Sequence, residues 1–377
     1  MDRRPLFAVG LAAFALIGAQ QALYGPSFPA LQARYGIGIG AVGQIVSAHF
    51  GGGLVGVLLA APLIRPFGYR RSVAAAAASV AIGLALVVFA PTWPIALASA
   101  VAAGVGFGML VSLLNLAFAR AFGVRSTQAL AVLNATFGVG AVLGPVPVAL
   151  ALERGAGGAA LVPGFLGLAG LALAVAAGSA ATRSWPTLPP LRATGALPVR
   201  WSVVAGFGAA LAVYVALESN TAAWAPTHLA LQLDVGRAAL GTSVFWGAVT
   251  VGRFVVAAIP TRLAPGALIV WTAIAAAVTL SLAHLPGLGL VAYALIGLSV
   301  APAFPATIAW LAQAFPESVE RVAPVVLAAG NLGPVLGAPL VGAAAAWAGA
   351  GVVPSVLLAL AVVLCALAIG LRRATRT

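Results

Sequence analysis

Apolar stretches long enough to cross a lipid bilayer follow one another through the whole chain, each divided from the next by a short polar break. A helix needs roughly 20 apolar residues to span about 30 Å of hydrocarbon. Twelve stretches meet that length, at residues 5–30, 41–64, 73–91, 95–118, 128–150, 159–181, 202–230, 239–260, 267–284, 288–312, 323–347 and 352–371, taken below as spans 1 to 12. Hydrophobic residues make up 63% of the chain and charged ones 7%, too little polar surface to clothe one water-facing globule. The pattern predicts an all-α membrane protein with twelve transmembrane helices. The apolar run after Met1–Arg4 is too long for a signal peptide and continues directly into membrane helix, so span 1 is expected to be retained.

The basic residues are all arginine, and they are not spread evenly. Of nineteen, fifteen fall in alternate breaks and at the two ends (Arg3, Arg4, Arg65, Arg70, Arg71, Arg120, Arg125, Arg183, Arg192, Arg200, Arg262, Arg321, Arg372, Arg373 and Arg376). Arg34, Arg154 and Arg237 occupy the other breaks, and Arg253 lies inside span 8. Positive residues are retained on the cytoplasmic side, so both termini are expected there, in a cytoplasmic (inner) membrane. The net charge of +13 is scattered singly through loops instead of forming one basic face, which argues against nucleic acid as a partner. One cysteine, Cys365, and three isolated histidines offer neither a disulfide framework nor a metal site. His49 is expected to be neutral and bonded to a neighbour, and His228 and His284 to meet water near span ends.

The longest polar break, with four prolines and three arginines, reads as a linker at 183–200 between a bundle at 1–182 and a second at 201–377. The two bundles repeat one another. An offset of 200 superposes Tyr24 on Trp224, Pro26 on Pro226, Gln32 on Gln232 and Gly36 on Gly236. At 198, Gly43 meets Gly241, Pro62 meets Pro260 and Gly68 meets Gly266; at 193, Gly140 and Gly144 meet Gly333 and Gly337. Two pseudo-symmetric six-helix bundles with a solute site between them are a transporter architecture.

Three segments carry a more specific likeness: YVALESNTAAWAPTHL at 214–229, FWGAVTVGRF at 245–254 and APAFPAT at 301–307. With the twelve-span repeat, they resemble the major facilitator superfamily, and within it the fucose, galactose and glucose symporter-like branch. The resemblance implies a solute cleft lined by spans 1, 4, 7 and 10, assisted by 2, 5, 8 and 11. It also implies a gate in the loop between spans 2 and 3, where APLIRPFGYRR at 61–71 supplies Arg65, Gly68, Arg70 and Arg71. The family usually has an acid where this chain has Arg65, so the gate is expected to close by other contacts, such as Arg65 or Arg70 on helix-end carbonyls. The branch typically carries acids in spans 1 and 4; here those spans hold Gln20 or Gln21 and Ser112 or Asn115.

Glu218 is then the one carboxylate deep in a span, about 24 Å along span 7 at 1.5 Å per residue. Keeping it ionised in hydrocarbon costs on the order of 3 kcal/mol, and protonation removes that cost, so it is the candidate proton-coupling group. Arg253 is the partner to test, but rise per residue places it about 14 Å from Glu218 in height, too far for a direct pair without a kink. It shares a helical face with Ser243, Trp246 and Thr250. Candidate solute contacts are Gln20, Gln21, Tyr24, Asn115, Asn134, Tyr214, Asn220, Trp224, Trp246, Arg253, Thr307 and Asn331, since aromatic faces beside amides suit a polyhydroxyl solute. Buried amides equally tie helices together in membranes. The Gly140-x-x-x-Gly144-Pro145 sequence in span 5 resembles a motif of proton-driven drug exporters, and close helix packing explains it as well.

These residues predict a secondary transporter working by alternating access, its spans 1, 5, 7, 10 and 11 bending at proline or glycine. The leading expectation is proton-coupled symport of a small neutral polar solute such as a sugar. Proton-driven export of apolar compounds, uniport, and a transport-dead receptor stay open, as does sodium in place of protons. No enzyme motif and no cofactor site is read from the chain, and its expected state in the bilayer is a monomer.

Overall fold

The computed structural model describes residues 3–187, 199–258 and 263–375. Most of the predicted linker (188–198), Arg192, Pro260, Arg262 and Arg376 lie outside the described residues. Ten segments among the described residues are long and apolar enough to cross a membrane. Two of them, Ile39–Phe89 and Trp93–Glu153, run to 51 and 61 residues. At 1.5 Å per residue these would be about 77 and 92 Å long, far beyond one bilayer. Each turns back at a glycine with positive φ, Gly68 (φ 70°) and Gly123 (φ 52°), a backbone state that side chains with a Cβ rarely adopt. Counted as two crossings each, they bring the total to the twelve expected from the sequence.

Span 1 is the helix Arg4–Leu23, continued beyond a turn by Phe28–Tyr35, and span 7 is Trp201–Leu229. Span 8 is Gly241–Ala258 after the short helix Val235–Ala239; span 11 is Val319–Ala348 and span 12 Val353–Ala374. Spans 5 and 10 are each broken, into Ser126–Leu143 and Val146–Glu153, and into Gly289–Val300 and Ala303–Ala314. The breaks fall where Pro145 and Pro302 withdraw a backbone donor. Spans 7 and 11, which also contain prolines, run without interruption.

Packing repeats the sequence duplication. Span 1 lies on 5 as span 7 lies on 11, and spans 2 and 4 pair as do 8 and 10. In the first half, Gly140 and Gly144 of span 5 sit directly against the Ala15 and Ala19 backbone of span 1. In the second, Gly333 sits against the Ala212 carbonyl and Gly337 against the Asn220 amide, both on span 7. A Cβ at any of these four positions would collide, so the Gly-x-x-x-Gly spacing of span 5 is occupied by close helix packing. The halves meet through spans 2 and 11 and through spans 5 and 8, again a symmetric pair. Large apolar side chains such as Leu336 (71% exposed) and Trp347 (90%) face outward, where lipid replaces water as solvent.

Candidate functional site

The seam between the halves is shut at the end where arginines are few. Phe28 meets Trp224 edge to face at 5.0 Å, Gly25 lies on the Ala223 backbone, and Gly43 lies against Trp224 and Ala338. Ser47 donates to the Val335 carbonyl at 2.8 Å. Somewhat deeper, spans 5 and 8 touch where Ser243 donates to the Val142 carbonyl (2.7 Å), Phe137 packs edge-on to Trp246 (5.6 Å) and Gly138 receives Thr250. One further turn toward the arginine-rich end, Asn134 is exposed and the Arg253 side chain is 30% exposed.

At the arginine-rich end the following contacts among the described residues each stay inside one half. Arg120 donates to the Tyr69 hydroxyl (3.3 Å), Tyr69 stacks on Trp185 and Ser179 donates to the Arg70 carbonyl (3.0 Å). In the other half Arg321 lies over Trp201 and Arg200 donates to the Ala374 carbonyl (3.4 Å). The seam therefore opens toward the arginine-rich side.

Beside this opening sits a buried polar triad. The Tyr214 hydroxyl donates to Glu218 Oε1 at 2.6 Å, and Arg253 Nη2 reaches the same oxygen at 3.2 Å. The expected 14 Å separation of Glu218 and Arg253 is thus wrong. That figure measured the two heights from opposite faces of a 30 Å slab. Span 7 holds 29 residues, about 43 Å of helix. Measured from its arginine-poor end, Glu218 is 11 residues in; Arg253 is 12 residues from the start of span 8, so the two are nearly level.

The other candidate residues divide by what they touch. Trp246 and Asn134 line the seam, and Trp224 closes it. Gln21, half-buried, lies one helical turn from Gly25, on the face toward span 7. Asn331 lies with its side-chain oxygen toward Gly53 of span 2, across the seam. Gln20 points away from the seam, donating to the Ala103 carbonyl of span 4 at 3.1 Å. Tyr24 is buried beside it, against His49 (4.9 Å) and Phe165 (6.0 Å). Asn220 donates to Ala216, Thr307 to Ala303 and Asn115 to Val111, each the carbonyl four residues back. His49 departs from expectation: it is fully buried among Tyr24, Phe50 and Phe107, and neither ring nitrogen has a hydrogen-bond partner among the described residues. His228 departs too, being buried against Tyr293 at 5.8 Å, whereas His284 is exposed and pairs with Ser355. Phe28, Ser47, Phe137, Gly138 and Val335, which close the seam, were not singled out by the sequence. In a chain with 45 glycines and 16 phenylalanines nothing marks these few.

A family model described as the Major Facilitator Superfamily matches residues 10–282. The chain belongs to the major facilitator superfamily. No curated protein sequence matches it. Among solved structures, this major facilitator chain is similar to a D-xylose-proton symporter (TM-score 0.82, 15% identity, covering 98% of this chain and 97% of that one). It is also similar to the nucleoside transporter NupG (0.75, 14%, 99% and 99%) and to a variant of the E. coli fucose:proton symporter FucP (0.63, 17%, 96% and 98%). At such identities the likeness speaks for the fold alone. The protein is a multi-pass membrane transporter. In its loop between spans 2 and 3, Gly68 makes the turn, while Arg65, Arg70 and Arg71 are exposed at the open end. Their guanidinium groups donate to no residue among those described, so the expected capping of helix-end carbonyls by Arg65 or Arg70 is not formed with the seam open on this side.

Proposed function

We propose that the protein is a proton-coupled symporter of a small polar solute, working by alternating access, with Glu218 as the proton site. The observation that carries this reading is the Tyr214–Glu218–Arg253 triad beside an opening at one end of a seam that is closed at the other. Protonation of Glu218 removes the charge that ties span 7 to Arg253 of span 8, so its charge state alters how strongly the two spans are held together. Neighbours in structure that carry xylose and fucose with protons support a solute of sugar size. Close helix packing accounts for the span 5 glycines without specifying a direction of transport. The arginine distribution supports an inner-membrane orientation with both termini and the open end of the seam cytoplasmic. The two halves at 1–182 and 201–377 would rock about this seam as a monomer.

Purified protein in liposomes, offered a panel of labelled small polar solutes that includes both neutral sugars and sugar acids under an imposed pH gradient, tests the reading. Wild type is expected to accumulate solute with inward protons, and Glu218→Gln to lose accumulation while keeping exchange. Unchanged pH coupling in that variant removes Glu218 from the mechanism; coupling to a sodium gradient alone replaces the proton.

A further inference from the structure

Away from the turns and the terminal turns of the spans, Arg253 and Glu218 are the charged side chains found among the described residues. They share one contact at 3.2 Å, with 30% of the Arg253 side chain and 9% of the Glu218 side chain exposed. Among the described residues, the elements packed on span 7 add no further charge at this level. Span 8 contributes Arg253 itself, and span 10 places Tyr293 against His228, nearer the closed end. Glu320 and Arg321 of span 11 and Arg372 and Arg373 of span 12 sit in terminal turns. Tyr214 adds a neutral hydroxyl.

This site is electrically balanced only while Glu218 is ionised. A proton placed on a Glu218 carboxyl oxygen cancels the one anion and leaves a largely buried guanidinium without its counter-charge. An unpaired buried cation costs more than either paired arrangement. A neutral solute arriving with the proton would leave Arg253 in that condition. A solute bearing a carboxylate would take the place of Glu218 on the guanidinium fork, which presents parallel N–H donors to two oxygens at once.

We infer that the transported solute is a small carboxylate anion, held by Arg253 once Glu218 has taken up the co-transported proton. The inference rests on the proton-symport reading above and changes the charge of the solute, not its size. One O–H bond forms on Glu218 on loading and breaks on release, and one anion crosses with that proton, so each cycle moves no net charge. Arg253 is part-exposed and Asn134 is exposed, one turn beyond the Gly138–Thr250 contact between spans 5 and 8, so an amide lies on the facing span at about the same level as the guanidinium.

Full-length protein in liposomes, offered labelled gluconate, pyruvate and glucose, tests this, gluconate and glucose sharing one polyhydroxyl body. Acidifying the outside is expected to drive accumulation of gluconate or pyruvate but not glucose, at a rate that a potassium–valinomycin voltage clamp leaves unchanged. In detergent, Glu218→Gln frees Arg253 at every pH. It should bind the accepted carboxylate roughly tenfold more tightly than wild type at about pH 8, while Arg253→Gln loses that binding. Should either variant fail to fold, wild-type uptake and its indifference to voltage decide the matter. Proton-driven accumulation of glucose with no carboxylate uptake overturns this inference and leaves the symport reading standing. Carboxylate uptake that follows the voltage overturns the charge balance. If neither class responds to the pH gradient, the symport reading falls and takes this inference with it.

Discussion

Glu218 could be found in the sequence because it is the lone carboxylate deep in an apolar span, but its environment could not. Whether two residues on neighbouring helices are level depends on helix lengths beyond the bilayer, and the extra length of span 7 is what brings Arg253 opposite it. The amides show the same limit. Gln20 and Gln21 are adjacent in sequence, yet one ties span 1 to span 4 and the other lies on the face toward span 7. Nothing in their spacing tells these fates apart. Removing one member of a buried ion pair leaves the other uncompensated, so Arg253→Ala is expected to destabilise the protein by about 3 kcal/mol, near the lower end for such pairs because Arg253 is part-exposed. Denaturation of the detergent-solubilised protein measures it, and a loss near zero would mean the pair is not formed. His49 predicts the reverse. Its two unpartnered nitrogens among aromatic rings make His49→Phe stabilising by about 1 kcal/mol in the same assay. A marked loss of stability would show that the ring nitrogens hold a buried partner.

For the helices, hydropathy located the spans and glycine spacing located their closest contacts. The offset that superposes Gly140 and Gly144 on Gly333 and Gly337 reappears as two equivalent helix pairs, 1 with 5 and 7 with 11. Proline was a weaker guide. It coincides with breaks in spans 5 and 10, but span 7 tolerates Pro226 in its last turns and span 11 tolerates three prolines in unbroken helix. The packing account makes a sharp forecast. Gly333→Val pushes two methyl groups into the Ala212 backbone and should cost about 2–3 kcal/mol, as overpacking does. At Gly167, where a Cβ meets nothing within 4 Å, valine should leave the melting temperature of the purified protein nearly unchanged. Equal effects at the two sites would contradict helix contact as the role of the span 5 and span 11 glycines.

Across the whole molecule, the number of crossings was legible because hydrocarbon imposes span length directly on composition, and the twofold repeat because glycine, proline and glutamine positions recur at similar offsets. Which end of the seam is closed was not, since that is a property of contacts between Phe28 and Trp224, Ser47 and Val335, and Ser243 and Val142, far apart in the chain. If the halves exchange access by rocking, residues at the two ends of the seam must be accessible by turns. With Cys365 replaced by alanine, Asn134→Cys and Ser47→Cys report on the two ends, and a membrane-impermeant maleimide applied to each side of oriented vesicles reads them. At rest, Asn134→Cys is predicted to react from the arginine-rich side and Ser47→Cys to be protected, and a transported solute should lower the first rate while raising the second. Simultaneous reaction of both positions from their two sides, or rates that no solute shifts in opposite directions, would contradict alternating access at this seam.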